Sequence, residues 1–278
     1  MTLIDLHACQ SADDAFRGYP DLALCDVLQH WSIEAYGELY LADLAPFPNL
    51  AARLPRMPSE DIQRHWTWFT GAESIAESAA FMHAVGDAYP RLTGRNLSAA
   101  TVLDYGAGWG RMTRMLLQFI PGERVLACDA DQASVDIFNE LGFQSRCANV
   151  PVAPESLPYP DGSLDFIWLY SVLTHMPPAL AKAVIEASAK ALSPDGLLMT
   201  TIHPVEFWAR SPLVRDSVEA EPLVQTHERE GIAHVPVGPY WGDTSMSTDY
   251  IARQWPELEI VDVTNQETDQ VEVWLKHR

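Results

Sequence analysis

Basic residues are scarce in this chain: 18 lysines and arginines stand against 38 aspartates and glutamates, a formal charge of −20 at neutral pH. No Lys/Arg cluster interrupts that field, so a polyanion would meet a surface of its own sign with nothing to release its counterions. The expectation is that no nucleic acid is a partner. The acidity reads first as a solubility device and second as attraction for a cationic acceptor, and no acidic run is concentrated enough to argue the second. Long apolar runs are also lacking. The longest, around Phe166 to Leu173, is far short of a membrane span, so no membrane partner is expected.

Cysteine is sparse too. Cys9, Cys25, Cys128 and Cys147 form no CxxC pair and no framework spacing, which argues against a disulfide scaffold and suits reduced thiols. Met1-Thr2-Leu3-Ile4-Asp5-Leu6-His7 has no basic stretch followed by an apolar one, so no secretory signal is read and a cytoplasmic location is expected. His227-Glu228-Arg229-Glu230 and His234 match no strong ligand spacing; they read as a solvated polar loop, and no metal is expected. Internal repeats and low-complexity tracts are missing as well, and oligomeric state is left open.

What is present divides by its punctuation. At 278 residues and 47% hydrophobic content, the chain has room for one sizeable core and an appendage. Residues 1 to about 95 read as a helical extension broken by Pro46, Pro48, Pro55 and Pro58. Within it Thr70-Gly71-Ala72-Glu73 has capping-box form ahead of Ile75, Ala79 and Met82 on one face. Trp66 and Trp68 read as packing between this part and the core, or else as part of a lid. From about 97 to 203, strand and helix patterns alternate at the spacing of a parallel sheet. Residues 204 to about 250, rich in proline and aromatics, read as an insertion that covers a substrate. Leu258 to Val263 and Val271 to Leu275 close the chain as two strands.

The sharpest signal is Asp104-Tyr105-Gly106-Ala107-Gly108-Trp109-Gly110-Arg111. Thr101-Val102-Leu103 before it reads as a buried strand; Met112, Met115, Leu116, Phe119 and Ile120 after it recur at helical spacing up to Pro121-Gly122. Glycine lets a ligand lie directly against the backbone at such a turn. The next apolar run, Arg124 to Cys128, ends in Asp129, an acid placed to accept hydrogen bonds from both ribose hydroxyls of a nucleoside. A dinucleotide fingerprint would want Gly or Ala where Arg111 stands, so NAD fits poorly.

These residues resemble the class I S-adenosylmethionine-dependent methyltransferases. Asp104, Gly106, Gly108 and Gly110 match that family's first motif and Asp129 its second. Leu157 to Trp168 and Leu192 to Met199 look like its turns into strands four and five. The resemblance covers roughly residues 97 to 203. It implies an α/β, doubly wound, mostly parallel seven-stranded sheet with an antiparallel carboxy-terminal hairpin edge, beside the helical extension. On this reading residues 1–95 are the extension or lid, and 96–278 the cofactor-binding domain with its insertion at 204–250.

It also implies S-adenosylmethionine as cofactor, held by Asp104, Gly106, Ala107 and Gly108 at the turn and by Asp129 and Ala130 after the second strand. Asn149, Val150 and Tyr170 complete the expected contacts. Asn149 would supply the adenine contact, because Val150 to Ser156 lacks the family's usual Gly-Asp pair.

Methyl transfer needs the acceptor aligned in line and water removed, and a hydroxyl acceptor must also lose a proton to a base. His203, closing the fifth strand, and His175, just after the fourth, are the two catalytic candidates. His203 reads as base or structural residue alike; His175 reads first as ordering its loop. Two functions follow. The leading one is O- or N-methylation of a small-molecule acceptor, and the alternative is a non-catalytic cofactor-binding protein in a regulatory or scaffold role.

Overall fold

Val102–Tyr105 is buried at all four positions, as a central parallel strand is and an edge strand is not. The computed structural model describes residues 4–217, 220–265 and 270–278, and the chain forms two units, Met1–Asn149 and Val150–Arg278. In the first unit lie β1 (Val102–Tyr105), β2 (Val125–Asp129) and β3 (Cys147–Asn149). They are parallel, with Val102 opposite Val125 and Ala127 opposite Cys147. Helix Gln132–Glu140 makes the crossover from β2 to β3, as parallel neighbours require.

The second unit carries β4 (Leu164–Leu169), β5 (Leu192–Ile202), β6 (Ile232–Pro236), β7 (Gly242–Met246), β8 (Leu258–Asn265) and β9 (Val271–His277). β4 and β5 are parallel, joined through helix Pro178–Ala191; β5 and β8 each pair antiparallel with β9. The seven-stranded order is β3-β2-β1-β4-β5-β9-β8. This is the doubly wound, mostly parallel sheet with a hairpin edge that the motifs led us to expect.

Among the described residues six α-helices precede β1, from Leu6–Gly18 to Gly71–Thr93. Asp5 caps the first by accepting from the His7 and Ala8 backbone N–H groups. Buried Asp13 accepts from the backbone of Asn49 and Leu50 and from the Asn49 amide, pinning helix Pro48–Ala51. Burial works to raise the Asp13 pKa, but these hydrogen bonds outweigh it and hold the group below its ordinary value.

Two expectations fail here. Thr70 makes no side-chain cap; the Gly71 N–H donates instead to Oε1 of buried Gln63 at 2.9 Å. Nor are the tryptophans packed: Trp68 ends helix Glu60–Thr67 in a left-handed turn and is 87% exposed, and Trp66 is also on the surface. A tight reversal between the two helices turns that short linker outward.

The described part of the stretch from 204 to 250 is built largely of regular structure. A short helical turn (Val205–Ala209), helices Pro212–Ser217 and Ala220–Glu230, and the antiparallel pair β6–β7 fill most of it. Pro204, Pro212 and Pro222 stand at or near helix starts, where their missing N–H costs little, and Pro236 ends β6. Phe207, Trp208, Val214 and Ala233 form the stretch's own small core. Among the described residues no helix is long and apolar enough to cross a membrane.

Candidate active site

At the end of β1 the chain folds back onto β2: the Gly106 and Ala107 N–H groups donate to the Cys128 carbonyl at 2.8 and 3.1 Å. Beneath the turn Asp104 is buried and accepts from Thr113 Oγ1 at 2.6 Å. Above it Asp129 is clamped, with Gly108 N–H donating to Oδ2 and Asp131 N–H to Oδ1, each at 2.9 Å. A carboxylate oxygen accepts twice, so each keeps a lone pair for a ligand hydroxyl. Burial pushes the Asp129 carboxyl up, and the hydrogen bonds from Asp131 and Gly108 work against that rise. Asn149 Nδ2 lies 3.4 Å from the carbonyls of Asp129 and Ala130.

The first unit thus brings together Asp104, Gly106, Ala107, Gly108, Asp129, Ala130 and Asn149. A Cβ at Gly108 would meet nothing within 4 Å; the backbone there is open to a flat ligand. This site fits a nucleoside with a vicinal diol. Arg111, where a dinucleotide fingerprint wants a small residue, is ion-paired to Glu77 of helix Gly71–Thr93.

Behind the turn lies a residue that sequence reasoning missed. Arg114 is fully buried, its guanidinium 4.7 Å from the Trp109 ring centroid and 4.9 Å from that of Tyr40. Its N–H groups donate to the carbonyls of Gly110 and Arg56, at 3.2 and 3.3 Å. Burial lowers its pKa to about 10, which leaves it charged at neutral pH. It braces the glycine turn against the amino-terminal segment.

The second unit holds the remaining predicted residues. Val150 and Tyr170 are buried. Ser171, next after Tyr170, has φ 59°, and its N–H donates to Thr201 Oγ1 at 2.7 Å. A serine held in the left-handed region stores local strain, a feature that clusters at functional sites.

Four histidines surround β7, a strand of small and polar residues buried along its whole length. His203 is 6% exposed, and its ring lies flat on Phe207, centroids 3.7 Å apart. His175 is 44% exposed at its side chain; its Nδ1 is 3.1 Å from the Gly242 carbonyl and 3.7 Å from Asp243 Oδ1. Trp208 Nε1 donates to Ser245 Oγ, whose hydroxyl contacts His227 Nδ1, each at 2.7 Å. Thr244 Oγ1 donates to the Met176 carbonyl and lies 2.8 Å from His234 Nδ1. Burial lowers the pKa of both His227 and His234. Far from a solvated loop, both rings are packed into the insertion. Among the described residues no group of three or more His, Cys, Asp or Glu is placed to hold a metal.

The geometry defines a nucleoside-binding α/β domain, and comparison with known proteins narrows the class. Residues 102–196 match the methyltransferase domain family. That segment, about a third of the chain, is similar to class I S-adenosylmethionine-dependent methyltransferase domains. Over 106 residues the chain is 33% identical to the tRNA N(3)-cytidine methyltransferase METTL2 of Xenopus tropicalis, a match that spans 35% of this chain and 32% of that protein. The chain therefore aligns with about a third of the length of this curated relative.

Two solved structures share the fold. A protein from Pyrococcus horikoshii has TM-score 0.53 and 10% identity over 80% of this chain and 100% of the other. The magnesium protoporphyrin IX methyltransferase of Synechocystis, solved with bound SAH, has TM-score 0.51 and 16% identity over 78% and 94%.

One expectation is overturned by this comparison. Net charge led us to exclude nucleic acid as a partner and to assign a small-molecule acceptor, yet the Xenopus relative is a tRNA methyltransferase. Net charge sums over a whole surface, whereas recognition is local, so −20 does not exclude an RNA acceptor.

Proposed function

We propose that this protein is an S-adenosylmethionine-dependent methyltransferase acting on an oxygen or nitrogen of its acceptor. The observation that carries the reading is the clamp at Asp129, whose oxygens each accept one backbone N–H and each keep a lone pair for a ribose hydroxyl. Bound there, the cofactor supplies an electrophilic methyl group. Asp129 orients it through the ribose, Gly106, Ala107 and Gly108 bring backbone close to it, and Asp104 holds the turn from below through Thr113. Ala130, Asn149, Val150 and Tyr170 are assigned to the adenosine and methionine ends. His175 and His203 are the groups assigned to accept the acceptor's proton.

Residues 1–95 serve as an extension of this domain and 204–250 as the element that covers the acceptor. All four cysteines are free thiols, consistent with a cytoplasmic setting. The relative directs the first acceptor test to tRNA.

Calorimetry with S-adenosylmethionine checks the proposal. Asp129→Ala removes two charge-assisted hydrogen bonds and is expected to weaken binding by about 2–4 kcal/mol. Unchanged affinity would place the ribose elsewhere, and no binding by the wild type would end the reading. Transfer of radiolabelled methyl to tRNA, compared with other RNA and with metabolite extracts, then identifies the acceptor.

A further inference from the structure

We infer that Asp243 and the Gly242 carbonyl configure His175 as the proton acceptor of this enzyme, with a bare Nε2 presented outward. The inference rests on the methyltransferase reading for its chemistry and on the second unit alone for its geometry.

A carbonyl oxygen only accepts, so the 3.1 Å contact between His175 Nδ1 and the Gly242 carbonyl places the proton on Nδ1. In a neutral imidazole the other nitrogen then holds the lone pair. Asp243 stands at 3.7 Å from the same Nδ1, beyond hydrogen-bond length but close enough to offset the charge that appears when Nε2 takes a proton. It is 8% exposed, and its other oxygen accepts from Ser211 Oγ at 2.7 Å, which fixes the carboxylate's rotation.

The other three described histidines around β7 are held differently. His203 is stacked on Phe207 and buried, and its backbone forms a β-bridge with Ser245 in β7. Thr244 spends its proton on the Met176 carbonyl, so it accepts from His234 Nδ1–H; the His234 Nε2 is buried without a partner among the described residues. His227 is engaged by Ser245. Of these four described histidines, only His175 combines a defined tautomer with substantial exposure.

In the reaction the acceptor's lone pair forms the new bond to the methyl carbon as the carbon–sulfur bond breaks, with that electron pair leaving on sulfur. The O–H or N–H proton passes to His175 Nε2. The ionisable groups around His175 are Asp243 on β7 and His203 at the end of β5, whose ring centroid is 6.3 Å away; His234 lies further along the same hairpin.

Long-range proton–nitrogen NMR of the whole chain, with His175 assigned by its loss in His175→Gln, reads the tautomer directly and needs no substrate. The expected result is the Nδ1–H form; a dominant Nε2–H form would overturn the inference. In turnover, His175→Gly should lower kcat by about 10²–10⁴-fold and lose the acid limb of the pH profile. Added imidazole should restore part of that rate, which a purely structural role would not allow. Asp243→Asn should lower kcat roughly 10²-fold with acceptor KM and cofactor Kd held, less than loss of the base itself. Asp243→Glu should recover part, and the milder Ser211→Ala should fall between. Wild-type kcat in His175→Gly also refutes the inference. Absence of cofactor binding would defeat the methyltransferase reading instead, while the NMR result still decides the histidine.

Discussion

Two glycines of one turn serve different ends. Gly108 and Gly110 both have positive φ, 54° and 80°, but a Cβ on Gly108 would enter open space while one on Gly110 would strike the ring of Phe143 and come within 2.9 Å of Phe138. Those two rings stack at 4.0 Å in the core beside β2 and β3. Gly110→Ala therefore combines backbone strain with overpacking and is expected to cost about 2–5 kcal/mol of unfolding free energy in urea titrations. Gly108→Ala bears only the strain, about 1–2 kcal/mol, yet places a methyl where the ligand approaches. Calorimetry should show its cofactor affinity falling at least as far as its stability, and the opposite ranking would mean that Gly108 serves the fold alone.

At the scale of elements, the hairpin β6–β7 determines what the second unit can do. It supplies Gly242 and Asp243 to His175, Thr244 to His234 and Ser245 to both His227 and Trp208. The pair closes so tightly at Gly242 that a Cβ there would collide with the Val235 carbonyl. Gly242→Ala should spread the hairpin and move Asp243 from His175. The expected outcome is a loss of kcat comparable to that of Asp243→Asn, with cofactor affinity near wild type because every clamp around Asp129 lies in the first unit. A parallel loss of cofactor binding would mean that the hairpin supports the whole fold.

For the whole molecule, pH is the informative variable. His227 and His234 are held neutral by burial, so their folded pKa values lie below the ordinary 6.5. Below that pH the unfolded chain takes up protons that the folded chain refuses, and folding loses free energy. The contribution is complete above about 6.5 and declines as pH falls through the folded values. Thermal unfolding should show a lower Tm at pH 5.5 than at 7.5, and His227→Gln combined with His234→Gln should flatten that difference. An equal slope in the double variant would assign the acid sensitivity to carboxylates, of which this chain has 38.

The glycine turn, Asp129, the strands around Leu164 and Leu192 and the closing antiparallel pair were all legible in the amino-acid sequence. Each is a local pattern: an apolar run, then a turn residue, then an acid or a helix. The Thr70 cap, the buried tryptophans and the solvated histidines were misjudged, because burial and hydrogen-bond partners depend on residues distant along the chain. Asp243 meets Ser211 across 32 residues, and His175 meets Gly242 across 67. Arg114 reaches back 58 residues to Arg56. The hairpin itself was hidden because β7, Gly242-Asp243-Thr244-Ser245-Met246, is polar in composition yet buried throughout. Sequence alone determined the glycine turn, since backbone conformation there follows from neighbouring residues. The tautomer of His175 was decided only by tertiary structure, since it is set by whichever distant carbonyl and carboxylate the fold brings beside the ring.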